Sequence, residues 1–169
     1  MRVLDKVYAA GIILAALFMI LIAGLTLAQV IGRFFGIVVP DAGDIAGYSM
    51  AGATFLALAH TFRTGGHIRV NLFLTHVPRG LRRALEIWCV FFLCMVGALF
   101  AGFAINMVVD SYAFGDVSTG MIAIPLWIPQ LSMAAGAVLL EIAVIEELVR
   151  VLRGQEPLYA RAEGDGFTE

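Results

Sequence analysis

The sequence predicts an all-α integral membrane protein of four transmembrane helices, and three observations carry that prediction. Hydrophobic residues make up 61% of the 169 and charged residues only 14%, whereas a soluble domain is nearer half apolar and a quarter charged. A chain of this size has no interior large enough to hide so much apolar surface, so its solvent is lipid. The apolar residues fall in runs of roughly 20 or more, the length that crosses a bilayer as a helix. Of the 11 lysines and arginines, ten fall on one side of the implied topology and Arg33 alone on the other. Such a cluster is retained on the cytoplasmic side during insertion, which places both termini in the cytoplasm of a multi-pass inner-membrane protein.

The orientation hangs on Arg63 to Arg83, RTGGHIRVNLFLTHVPRGLRR, which holds five arginines between two apolar runs. A net charge of −2, with the arginines gathered at membrane edges, argues against nucleic acid.

The first helix is expected over about residues 7–31, after a polar head containing Arg2 and Lys6. A signal peptide is the competing reading, but its apolar region runs only about 7–15 residues. Gln29 and Arg33 close the helix one turn apart on one face. Pro40 and Gly43 then break the chain, and Asp41 and Asp44 place acid at the start of a second helix over about 44–62, where the positive end of the helix dipole favours it. Gly43, Gly47 and Ala51 recur every four residues, a small-residue stripe on which another helix could pack.

The middle connection reads both as alternating and as one helical face, so periodicity alone does not choose. Beside a membrane, a short interfacial helix ending at Thr75 or His76 is expected. A third helix over about 83–109 leads to a loop, residues 110–120, with two aspartates and no lysine or arginine. Pro125 and Pro129 fall near the start of a fourth helix over about 122–149, where a missing backbone donor is tolerated, and Trp127 suits the outer membrane interface. Residues 1–150 form a single membrane domain, and 151–169 a polar cytoplasmic tail.

No constellation of residues points to catalysis. Cys89 and Cys94, five apart inside an apolar run, read as packed small hydrophobes rather than a disulfide or metal pair. His60, His67 and His76 all lie at or beyond the cytoplasmic end of the second helix, which leaves no facing pair for a haem. Glu141 is the one carboxylate that could be deep, about 13 Å from the end of the fourth helix. It is then a polar contact to another subunit or a proton site. Alternatively the span stops at Leu140, Glu141 lies at the interface, and Glu146 pairs with Arg150 one turn on; this second reading is preferred. A carrier that works alone shows broken helices with polar residues at mid-membrane. These helices are too unbroken and too apolar, so the chain reads as a component that packs against something larger. A stand-alone homo-oligomeric channel or exporter is the alternative.

The order of features resembles a known family. Gln29-Val30-Ile31-Gly32-Arg33 ends the first helix and Asp44 opens the second. Ala57-Leu58-Ala59-His60-Thr61-Phe62-Arg63 leads into His67-Ile68-Arg69-Val70, and Ser118-Thr119-Gly120-Met121-Ile122-Ala123-Ile124-Pro125-Leu126-Trp127 precedes the last helix. Over about residues 5–150 this is similar to the small, DctQ-like membrane subunit of tripartite ATP-independent periplasmic (TRAP) transporters. One departure is that Asp41 and Asp44 stand where the family often has paired glutamates.

The resemblance implies a non-catalytic scaffold with no cofactor, substrate or metal site of its own. A large permease subunit would carry the solute, typically an organic acid, using a sodium gradient, and a periplasmic binding protein would deliver it. A scaffold needs polar anchors that fix depth and rotation in the bilayer. Gln29, Arg33, Asp44, His67, Arg69 and Trp127 are the candidates, with Gly47 and Glu141 as possible partner contacts. The plainer alternative is that Arg33, Arg69 and Trp127 touch only lipid headgroups.

Overall fold

A computed structural model describes residues 2–64 and 79–155. Among these residues it is all helical: α1 Arg2–Phe34, α2 Ala42–Arg63, α3 Arg79–Phe114 and α4 Trp127–Leu152. Three of the four are long and apolar enough to cross a membrane: the spans Leu4–Phe34, Arg83–Phe114 and Trp127–Leu152. The expected interfacial helix, with His67, Arg69 and His76, and the tail beyond Gln155 lie outside the described residues.

Three of the helices differ in extent from the sequence expectation. α1 includes the charged head and runs on through Arg33, because nothing in Arg2–Lys6 opposes helix and the chain turns only at Phe35 and Gly36. α3 continues past Val109 to Phe114. Asp110-Ser111-Tyr112-Ala113 contains no breaker, and the stop comes at Gly115, whose φ of 68° is a left-handed conformation that costs glycine little. α4 begins at Trp127 rather than near Ile122, because residues 116–126 fold into a tight loop of their own. In that loop Val117 and Pro125 form an antiparallel bridge. The Ser118 N–H donates to the Ile124 carbonyl (2.9 Å) and the Leu126 N–H to the Asp116 carbonyl (2.9 Å).

α1 packs on α2, α2 on α4, and α4 on α3, so the helices stand in the row α1–α2–α4–α3 with two inner and two outer members. Lipid offers apolar surface no reason to leave it, so helices in a bilayer associate through close packing of small residues. The buried residues of α2 fit that rule: Ser49, Gly52, Ala53, Leu56 and Ala59 repeat at three and four and lie on one face. A Cβ at Gly52 would stand 2.8 Å from Ser132 Oγ on α4 and 2.9 Å from the Phe18 ring on α1, and one at Gly136 would run into the backbone carbonyl of Phe55. These two glycines let α4 approach α2 to backbone contact. α3 meets α4 through alanines, Ala101 and Ala104 against Ala134 and Ala137.

The expected stripe of Gly43, Gly47 and Ala51 is not the face that α2 turns to α1 or α4. A Cβ at Gly43 or Gly47 would meet nothing within 4 Å, and Gly47 is exposed. Small residues recur on both sides of α2, and only the side with a facing backbone packs.

Candidate functional site

Among the described residues, polar side chains link separate elements at three levels of the bundle. At the end where α1 begins and α4 stops, Arg63 closes α2 and reaches both its neighbours. Its Nη2 lies 2.9 Å from Asp5 Oδ1 on α1, and its Nε 3.9 Å from Glu146 Oε2 on α4. The guanidinium carbon also sits 4.4 Å above the centre of the Tyr8 ring, within range of a cation–π attraction. Beneath this cation lies the apolar cluster of Tyr8, Ala59, Phe62, Val90, Ala143 and Val144, drawn from all four helices. One arginine therefore ties α1, α2 and α4 where the core is broadest. Asp5 is half exposed and contributes little alone, but Arg63 itself is 20% exposed and its three contacts converge. Glu146 thus meets Arg63 from α2, where the sequence pairs it with Arg150.

At mid-height, in the seam of α3 and α4, Glu141 is only 8% exposed. Cys94 Sγ donates to its Oε1 at 3.1 Å, while Oε2 is buried with no hydrogen-bond partner among the described residues. The space it occupies exists because residue 97 is glycine: a Cβ there would collide with the carboxyl. Glu141 lies 11 residues before Leu152, about 16 Å along the helix. The carboxyl is packed between α3 and α4 instead of projecting outward from the bundle. Cys94 is a hydrogen-bond donor rather than a simple packing group.

At the loop end, Asp41 holds the two connections together. Its own φ is 53°, a left-handed conformation that aspartate tolerates better than most residues. Its side chain does not cap α2, contrary to the expectation for an acid at a helix start. Instead it crosses to the second loop, where the Met121 N–H donates to Oδ1 (2.9 Å) and the Ile122 N–H to Oδ2. A Cβ at Gly120 would stand 2.6 Å from Oδ1, so only glycine admits the carboxylate. Ser118 braces the same loop, its hydroxyl donating to the Ile122 carbonyl (2.9 Å) and accepting from the Ile124 N–H (3.1 Å).

Among the residues proposed as anchors, Gln29 is half-buried and Arg33 exposed, and together they border an open cleft of about 450 Å³ on α1 with Thr26, Val30 and Phe34. Asp44 is exposed in the first turn of α2. Trp127 is half-buried and meets Tyr112 edge to face at 5.8 Å. None of these touches the Arg63 or Asp41 ties. Sequence reasoning passed over Arg63, Asp5, Glu146 and Asp41 as linking residues. The available signal was the break in apolar periodicity at Asp5 and Glu146, but which charge meets which depends on the order of helices in the row. Among the described residues no three of His, Cys, Asp and Glu stand close enough to share a metal ion.

The family model for the DctQ component of tripartite ATP-independent periplasmic transporters matches residues 22–154, a stretch that includes the Asp41 tie, the α3–α4 seam and both inner helices. The chain is also 26% identical over 158 residues to the ectoine TRAP transporter small permease protein TeaB of Halomonas elongata, covering 93% of this chain and 81% of that one.

Proposed function

The chain belongs to the DctQ component of tripartite ATP-independent periplasmic transporters, a transporter subunit and not an enzyme, and from that premise we propose that it is the static membrane scaffold of such a transporter. In this reading a large permease subunit carries the solute, an organic acid, together with sodium, and a periplasmic binding protein delivers it. The observation that carries the scaffold role is where the polar side chains go. Arg63, Asp41, Ser118 and Cys94 with Glu141 all bind this chain's own helices and loops to one another, as a rigid wall requires.

All four helices cross the inner membrane. α2 has 22 residues and rises about 33 Å, enough for the roughly 30 Å hydrocarbon layer. It runs between α1 and α4, and it can be less apolar than they are because it has a protein neighbour on each side. Both termini and the arginine-rich connection face the cytoplasm, the side favoured for ten of the 11 basic residues. Gln29, Arg33, Asp44, Gly47 and Trp127 remain the candidates for fixing depth or meeting the large subunit, with Glu141 acting inside the α3–α4 seam.

The test is reconstitution. Vesicles holding this chain with its large permease should take up the solute when a sodium gradient and the binding protein are present, with carboxylates and ectoine as the first compounds to assay. The large permease should also copurify with the tagged chain. Uptake at normal turnover by this chain alone would discard the scaffold reading.

A further inference from the structure

We infer a binding site for an anionic phospholipid headgroup at the corner where α3 begins and α4 ends, built from Arg83, Arg150 and Arg153. Arg83 stands at the first residue of the α3 span, and Arg150 and Arg153 lie at the last turn and C-cap of α4. The two helix ends are in contact. Gly154 turns the chain out of α4 with φ of 74°, its N–H donating to the Val151 carbonyl at 3.1 Å, and a Cβ there would come 3.1 Å from Arg83 Nη2. The Arg83 guanidinium is therefore laid against Gly154, the residue that follows Arg153, and Arg79 and Arg82 belong to the same opening turns of α3.

Arg63 shows what sets these arginines apart. It ends α2 at the same level and takes two carboxylates of its own chain. Among the described residues, no carboxylate lies within ion-pair distance of Arg83, Arg150 or Arg153. Three arginines at the rim of two membrane-spanning helices, none of them ion-paired to a carboxylate among the described residues, complement an external anion. A planar guanidinium fits a phosphate in two-point fashion, and at the end of a span the anion at that depth is a lipid phosphate. Basic pockets between transmembrane helices on this side of a membrane select headgroups of net negative charge. The site needs α3 and α4 to span the bilayer and needs no partner subunit.

The experiment is native mass spectrometry of the full chain released from detergent after titration with phosphatidylglycerol, phosphatidylcholine or inorganic phosphate. Phosphatidylglycerol should be retained at least about ten-fold more tightly than phosphatidylcholine. Replacing Arg83, Arg150 or Arg153 singly by Gln should weaken it about five-fold, the effect expected of one basic residue near an anionic surface, and the triple variant far more. Arg33→Gln at the opposite end should change nothing. Equal retention of the two lipids by the unaltered chain, a measurement that does not depend on any variant folding, would overturn the site. So would wild-type retention by the triple variant, or displacement of the lipid by millimolar phosphate, which would point to a soluble anion. Because the chain is tested alone, failure to find a large permease would leave this result standing.

Discussion

Gly52 and Gly47 lie five residues apart on α2 and have opposite surroundings. The first is pressed between the Phe18 ring and Ser132, and the second faces open space. Both belong to small-residue patterns that look alike in a list. The difference teaches that in a bilayer a glycine matters for what approaches it rather than for being small. Lipid fills an unoccupied groove as well as a side chain would, so closeness stabilises only where another backbone supplies the contacts.

The comparison can be broken at the inner seam first, where the largest effect is expected. Gly136→Leu drives a side chain into the Phe55 backbone, and Gly52→Leu drives one into Phe18 and Ser132. Overpacking of this kind costs typically about 1–3 kcal/mol, and contact with backbone, which cannot swing aside, puts Gly136→Leu at or above the top of that range. Unfolding of the purified protein by SDS, followed by circular dichroism, should show both losses. If Gly136→Leu unfolds at the wild-type detergent fraction, α2 and α4 do not meet as described.

Next in size is the loop-end tie. Asp41→Ala removes the acceptor for two N–H groups and leaves a left-handed residue without the side chain that tolerates it, a loss of about 2 kcal/mol. The 115–126 loop should then become cleavable by protease while the helices remain. Asp41→Asn, which keeps the shape and one good acceptor, should lose about half as much.

A smaller effect is expected at the opposite end. Arg63→Met gives up one half-exposed ion pair, one long ion pair and the Tyr8 ring contact, for about 1 kcal/mol. Because the interaction is partly screened, the gap between wild type and Arg63→Met should narrow in high salt; a gap that stays constant would mean that packing of the arginine stem, and not its charge, is what counts. The smallest effect sharpens the contrast with which the comparison began. Gly47→Leu should leave the stability of the isolated chain within about 0.5 kcal/mol of wild type. If that variant also copurifies less large permease, the open face of α2 is a partner surface, and if copurification is unchanged, lipid covers it.

The two ends differ in how visible they were in sequence. Arg63 is one of five arginines in a basic stretch, and its charge is read there as a topology signal; nothing local tells it apart from Arg69 or Arg83. Asp41 is read as an acid near a helix start, which is correct for its position and wrong for its partner, since the N–H groups that it accepts belong to residues 80 positions further on. Glu141 stands out in the sequence because a carboxylate in an apolar run is costly. Its burial followed from the helix row and from the missing side chain at Gly97, neither of which periodicity along one helix contains.

By itself the sequence determined that the chain is helical and membrane-embedded, roughly where its helices run, and, through quoted segments in a fixed order, the family to which it belongs. Those properties follow from sums over neighbouring residues: apolar length against bilayer thickness, and the side on which basic residues gather. Tertiary structure alone decided that α2 and α4 are the inner pair, that Gly52 and Gly136 rather than Gly47 make the seam, and that Arg63 and Asp41 close its two ends. These are contacts between residues far apart in the chain, and every helix in lipid has several faces of nearly equal hydrophobicity. Only the shape of the neighbouring helix selects among them.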